Sequence, residues 1–367
     1  MGKTSLLERV FSDYRYVSLD LASNAEMAES RPQELLDRYP PPVLIDEVQY
    51  APGFFRDIKT AVDTRRGENG LFVLTGSQNF LLMERVADSL AGRAAVIPFL
   101  GLSANEWAEW HGQPNAADWL DFLWRGGFPA LWAAGSNAPS RDRWYQGYVA
   151  TYLERDVRNL ANVGSLRDFE RLLRAAAARC AQSLNLSELA RDVGISPSTA
   201  RQWVGVLQAS NQILLLEPYH RSLGKRLAKT PKLYFTDTGL AAFLMGFQSP
   251  AALRESPFAG ALWENHVVVQ WLRWRDWHHP AAALWYWRNQ SGDEVDLLVE
   301  TNARLYPIEC KLAERPSGHA VRPIQKLRDL YGETVAQAFV ACTTESRYDL
   351  GPGVTAVSGW RTWDLGT

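Results

Sequence analysis

Long apolar runs are missing from this 367-residue chain. No stretch of about 18 consecutive apolar residues occurs, so no membrane-spanning helix is expected and no membrane partner. The opening Met1–Val10 carries Lys3, Glu8 and Arg9 where a secretory leader needs an apolar segment. No signal peptide is therefore expected, and the cytosol is the expected location. Cysteine is scarce. Cys180, Cys310 and Cys342 stand too far apart for a disulfide framework or a spaced metal site. An excess of one charge is absent too: 39 Lys/Arg face 41 Asp/Glu, a net charge of −2, so total charge selects no partner. There is no internal repeat and no low-complexity tract.

What remains is ordinary globular composition, with 46% hydrophobic and 22% charged residues. At ~150 residues per domain the length suggests two or three domains. Charge is uneven along the chain. Residues 161–250 hold 11 Lys/Arg and 6 Asp/Glu, net +5, within an otherwise acidic protein. A basic module of this kind suits phosphate backbones, although chance unevenness gives the same count.

The first hundred residues alternate strand and helix patterns. Tyr16–Leu19, Val43–Ile45, Leu71–Leu74 and Val96–Leu100 read as strands, with helical spacing in Phe54–Val62 and Leu81–Leu90. Strands separated by helices of this length predict an α/β fold with a parallel, three-layer sheet. Residues 102–164 read as a helical lid holding six Trp, interrupted by the turn Gly126-Gly127-Phe128-Pro129; core packing explains the Trp better than a nucleic-acid platform. Residues 165–250 hold three helical segments and an apolar stretch. Residues 251–367 open with a Trp-rich helix and continue into a strand hairpin.

The chain begins Gly2-Lys3-Thr4-Ser5-Leu6-Leu7, the closing part of G-x-x-x-x-G-K-[ST] before a helix start. In that motif backbone N–H groups cradle phosphates, the Lys reaches the β- and γ-phosphates, and the hydroxyl holds Mg²⁺. Val43-Leu44-Ile45-Asp46-Glu47 adds a buried strand ending in two carboxylates. Asp46 suits Mg²⁺ and Glu47 suits the attacking water, with an exposed acidic turn as the alternative. A third strand ends in Thr75-Gly76-Ser77-Gln78, and Ser77 is a candidate for the γ-phosphate. Arg93 could reach a phosphate in its own or a neighbouring subunit of a homo-oligomer, or be a surface Arg.

These elements resemble the AAA-type P-loop ATPases, in particular a bacterial and archaeal family with a helical lid and a C-terminal domain of unknown function. Gly126-Gly127-Phe128-Pro129 and Tyr152-Leu153-Glu154-Arg155-Asp156-Val157 look like further signatures of it. The resemblance implies ATP and Mg²⁺ as cofactors. Gly2, Lys3, Thr4, Ser5, Asp46, Ser77 and Arg93 are then the nucleotide-site candidates, and Glu47 the catalytic one. The family has a strand and a Gly-rich run before Gly-Lys-Thr, where this chain has only Met1. The sequence thus implies an N-terminally truncated P-loop core over residues 1–101, from an upstream start or from a fragment that binds ATP weakly.

Leu186–Val193, Gly194 and Ser196-Pro197 read helix, turn, helix, with Ser187 and Ser196 as N-caps and Pro197 at the first helical position. A hairpin-like segment follows, the layout of a winged helix. Arg221, Lys225, Arg226, Lys229 and Lys232 then supply five positive charges within twelve residues. Lys225, Arg226 and Lys229 are the leading candidates for DNA phosphates; domain packing is the alternative.

In the last domain Glu264 lies on a helix, Asp296 on one strand of a hairpin, and Glu309 and Lys311 on one face of the next. Asp296 and Glu309 could hold Mg²⁺ while Lys311 orients water. This resembles the PD-(D/E)XK nuclease fold, whose Glu, Asp and Glu-x-Lys elements appear in order. A salt-bridged hairpin face, or the same fold without activity, are the alternatives. His266 reads as a packing residue, and His278-His279 as a polar turn. The combined expectation is an ATPase coupled to a DNA-binding winged helix and a nuclease-like domain. A nuclease with a regulatory ATPase half and a non-catalytic DNA-binding module stand beside it.

Overall fold

A computed structural model describes residues 2–76, 89–112, 116–133, 140–152, 165–220 and 230–365. Ser77, Arg155, Asp156, Lys225, Arg226 and Lys229 lie outside the described residues. The chain divides into two compact units, residues 1–99 and 100–367.

The first unit is built on a parallel sheet of β1 (Arg15–Ser18), β2 (Val43–Asp46) and β3 (Phe72–Leu74), in the order β1-β2-β3. Parallel neighbours require crossovers, and here helices supply them: Ala22–Ser30 and Pro32–Arg38 before β2, Phe55–Thr64 before β3. β2 is the middle strand, and all four of its residues are buried. Val43, Leu44 and Ile45 are at most 1% exposed, each stabilising the unit by about 1.5–3 kcal/mol. Val17, Leu19, Phe54, Phe55 and Ile58 complete this core. Helices alternating with the strands of a parallel sheet give this unit the mixed α/β order expected of it. The fourth strand expected at Val96–Leu100 does not form. Residues 94–100 are irregular, because an apolar run becomes a strand only where a neighbour accepts its ladder bonds.

The second unit opens with helices Ala104–His111, Ala116–Arg125 and Arg141–Tyr152. Of the six Trp in the segment, Trp107 is buried and Trp119, Trp124, Trp132 and Trp144 pack on the core; Trp110 is exposed. Helices Leu166–Ala177, Leu186–Val193 and Pro197–Ala209 follow, with β4 (Gln182–Ser183), β5 (Ile213–Leu216) and β6 (Lys232–Phe235) in an antiparallel sheet of order β4-β6-β5. Gly194 ends the first helix of the helix-turn-helix at φ +84°, and Ser196 caps the second through the Thr199 N–H (3.1 Å). The first cap is Asn185, not Ser187. Its Oδ1 accepts from the Ser187 and Glu188 N–H groups (3.1 and 3.2 Å), so the helix starts before the serine.

Helix Ala259–His278 leads into β7 (Ala283–Arg288), β8 (Glu294–Thr301) and β9 (Arg304–Cys310), an antiparallel meander. Helix Arg322–Tyr331 crosses over to β10 (Ala338–Cys342), parallel to β9. β11 (Tyr348–Gly351) and β12 (Val354–Ser358) complete the order β11-β12-β10-β9-β8-β7. One continuous core runs through the second unit, including Leu123, Phe169, Leu207, Phe235, Trp271 and Ile308.

Candidate functional site

In the first unit the residues of interest converge at the carboxyl end of β2. Helix Lys3–Val10 starts at Gly2, whose φ of +75° is open to glycine at no steric cost. Its first turn carries Thr4, and Thr4 Oγ1 donates to Asp46 Oδ2 at 3.0 Å, across 42 residues of sequence. Asp46 is 5% exposed and also accepts from Tyr16 Oη (3.1 Å) and from the Thr75 hydroxyl. Burial, followed by the Asp46 charge, raises the Tyr16 phenol above its ordinary value. Lys3 Nζ donates to the Gly76 carbonyl at 2.5 Å, past the end of β3. Ser5 is exposed on the same helical turn.

Glu47 follows Asp46 in the left-handed region, φ 55° and ψ 47°. A non-glycine residue there costs of order 1–3 kcal/mol, and such strain concentrates where a side chain must be aimed. Thr75 Oγ1 accepts the Glu47 N–H (3.3 Å), and Gln49 donates to the Glu47 carboxylate. Arg93 forms a two-pronged pair with Asp63 (2.7 and 3.2 Å). A phosphate would have to compete with that carboxylate. Sequence reasoning singled out Lys3, Thr4, Asp46 and Glu47 and placed Thr75 among the small polar groups at a strand end, but assigned nothing to Tyr16. A lone Tyr in a short strand gives no signal, whereas the Thr at a strand end was visible. A hydroxyl and a carboxylate 3.0 Å apart are hard oxygen donors, and with the helix N-terminus and Lys3 they fit Mg²⁺ and phosphate.

In the second unit, Glu264, Asp296, Glu309 and Lys311 also come together. β8 and β9 pair with Leu297 opposite Ile308, which sets Asp296 and Glu309 side by side. Asp296 Oδ2 accepts the Cys310 N–H (2.8 Å), and Lys311 Nζ lies 2.6 Å from Glu309 Oε1. A residue from another element enters the cluster. Lys232, on β6, is 3% exposed, and its Nζ lies 2.8 Å from Glu264 Oε1, 2.5 Å from Glu294 Oε1 and 3.7 Å from Asp296 Oδ1. Lys232 was expected among the solvated phosphate-binding charges; its burial corrects that expectation. Burial opposes its charge, but Glu264, Asp296 and Glu294 outweigh burial and hold the ammonium above its ordinary value. Burial, then Asp296, pushes Glu264 and Glu309 up, so these carboxyls retain protons more readily than a solvated glutamate. Among the described residues no group of three His, Cys, Asp or Glu side chains is arranged to hold a metal. The expected Mg²⁺ between Asp296 and Glu309 would have to compete with two ammonium groups, Lys232 at 3.7 Å from Asp296 Oδ1 and Lys311 at 2.6 Å from Glu309 Oε1.

Other singled-out residues are structural. Gly126 has φ +82°, and a Cβ there would collide with Asp237 Oδ1. Asp237 accepts from the Gly127 N–H, Tyr145 Oη and the Leu240 N–H, each at 2.8 Å. The Gly-Gly turn is thus shaped to receive a buried carboxylate. His266 is 1% exposed, its Nε2 lies 2.7 Å from the Trp360 carbonyl, and burial lowers it to about 4. His279 stacks on Trp274. No helix among the described residues is long and apolar enough to cross a membrane.

Residues 1–108 match the family described as AAA domain, residues 116–251 a domain of unknown function, DUF8612, and residues 259–361 another, DUF4143. The uncharacterized proteins Rv2008c of Mycobacterium tuberculosis and Mb2031c of Mycobacterium bovis are each 32% identical over 318 residues, covering 86% of this chain and 68% of theirs. The chain belongs to the family of these two mycobacterial proteins, with an AAA domain at its start and a DUF4143 domain at its end. Protein VC1899 from Vibrio cholerae, at 14% identity over 91% of this chain and 77% of its own, has a TM-score of only 0.22, too low to carry a likeness of fold.

Proposed function

We propose that the AAA domain binds and hydrolyses ATP with Mg²⁺ at the carboxyl end of β2. The observation that carries this is the Thr4–Asp46 hydrogen bond, which joins the start of the first helix to the end of the central strand at 3.0 Å. Magnesium, when bound, offsets phosphate charge and orients the transferring group. Thr4 Oγ1 and Asp46 are the residues that would hold it. Lys3 Nζ, now on the Gly76 carbonyl, would exchange that neutral partner for a phosphate oxygen, a stronger charge-assisted bond. Glu47, fixed by its backbone and by Gln49, would accept the proton of the attacking water. The test is titration with a fluorescent ATP analogue. The parent chain should give a saturable signal and Lys3→Ala should lose it; equal signals from both would refute the assignment.

A second reading is favoured by the helix-turn-helix. Ser198, Arg201 and Gln208 of its second helix are exposed, and the basic run 221–229 is close by in sequence. This face suits a DNA groove, with Lys225, Arg226 and Lys229 for phosphates. Gel-shift titration should show Arg201→Ala and the Lys225/Arg226 double alanine variant weakening duplex binding; unchanged affinity in both would exclude this face. Metal-dependent DNA cleavage is not part of the proposal, because Lys232 occupies the cluster that it would require.

A further inference from the structure

We propose that Lys232 is the resident cation of the terminal carboxylate cluster: its ammonium stands where a divalent metal would have to sit, and it fastens β6 to the helix and strands of the DUF4143 domain. This does not rest on the ATP site, which lies in the other unit.

The lysine reaches the cluster because β6 is held against helix Ala259–His278 at two consecutive helical residues. Asn265, fully buried, accepts the Phe235 N–H at 2.7 Å and donates to the Phe235 carbonyl at 2.8 Å. That two-way pairing fixes the strand along the helix. Lys232 and Tyr234, two residues apart on β6, then share the face turned to Glu264. Tyr234 Oη donates to Glu264 Oε1 at 2.6 Å, the same oxygen that receives Lys232.

Five carboxylate oxygens of the cluster are thereby engaged by protein groups. Glu264 Oε1 serves Lys232 and Tyr234; Glu294 Oε1 serves Lys232; Asp296 Oδ2 serves the Cys310 N–H; Glu309 Oε1 serves Lys311. Asp296 Oδ1 faces Lys232 itself. A dication placed among them would meet a buried ammonium a few ångströms away, where little solvent is present to screen the repulsion. Glu309 Oε2 is buried without a hydrogen-bond partner.

Manganese, a spectroscopic stand-in for magnesium, tests this by electron paramagnetic resonance titration of the full chain. The parent and Asp296→Asn should give superimposable Mn²⁺ binding curves, since the cluster takes no metal in either. Lys232→Gln, which keeps a polar donor on a slightly shorter side chain but removes the charge, should gain about one Mn²⁺ per chain, and adding Asp296→Asn should abolish the gain. An Mn²⁺ site in the parent that Asp296→Asn removes would overturn the proposal. So would the absence of any gain in a Lys232→Gln chain whose circular dichroism and melting curve match the parent. If that variant does not fold, the parent and Asp296→Asn curves decide alone.

Discussion

Replacing Asn265 by Ala should measure how much the junction between β6 and helix Ala259–His278 stabilises the second unit. The side chain is 0% exposed and bonds both backbone groups of Phe235, which is itself fully buried. Truncation leaves an N–H and a C=O that water cannot easily reach. Each costs about 1–3 kcal/mol when orphaned, so the loss is about 2–6 kcal/mol. Cys180 Sγ, 2.9 Å from Asn265 Oδ1, adds a weaker contact. At ~2–4 °C per kcal/mol for a unit of this size, the midpoint should fall by about 5–15 °C. All 15 Trp of the chain lie between residues 107 and 363, so tryptophan fluorescence reads the second unit and not the first. Thermal melts followed at the Trp emission, with the exposed Gln208→Ala as a control, suffice. A drop of less than about 2 °C, the scale of ~0.5 kcal/mol expected of an ordinary surface change, would refute the view that this pairing anchors the strand.

Three further outcomes are expected. His266 is held down to about 4 by burial, with Arg273 adding to the effect, against an ordinary value near 6.5. A depressed folded value gives stability that is complete above ~6.5 and lost as pH falls towards 4, by up to about 3 kcal/mol; His266→Gln should melt with a shallower decline over that window, and parallel curves would contradict it. Gly126→Ala should cost about 2 kcal/mol or more, because the backbone is left-handed there and the new Cβ would meet Asp237; an unchanged melt would show that the turn can relax. Glu47→Gln should keep nucleotide bound while phosphate release falls by about 10²-fold or more, the contribution expected of a positioned base; turnover at the parent rate would remove Glu47 from the chemistry.

Much of the first site was legible because its residues announce themselves locally. Val43–Ile45 is a short apolar run after three prolines, and the carboxylates of Asp46-Glu47 close it at the carboxyl end of the strand, where the proposed nucleotide site lies. The break between helices Leu186–Val193 and Pro197–Ala209 was legible through Gly194 and Ser196-Pro197, although Asn185 outcompeted Ser187 as the first cap. Three features were not. Val96–Leu100 carries a strand's composition, but pairing depends on a neighbour and not on composition. Lys232 ends a run of positive charges, and nothing in such a run says which member a strand will turn inward. Asn265 sits in Trp263-Glu264-Asn265-His266, where a polar residue on an apolar helix hints at a buried partner but not at which strand supplies it. For Lys232 and Asn265 the deciding contact spans about 30 residues, beyond the reach of local pattern.

The most direct test of the central claim is the Mg²⁺ dependence of nucleotide binding in Thr4→Ala and Asp46→Asn. If these two side chains hold the metal, Mg²⁺ should tighten binding of the fluorescent ATP analogue to the parent, and both variants should lose that increment while retaining the metal-free affinity supplied by Lys3. If Mg²⁺ tightens binding to the variants as much as to the parent, the Thr4–Asp46 contact is a structural bond and the ATP site lies elsewhere.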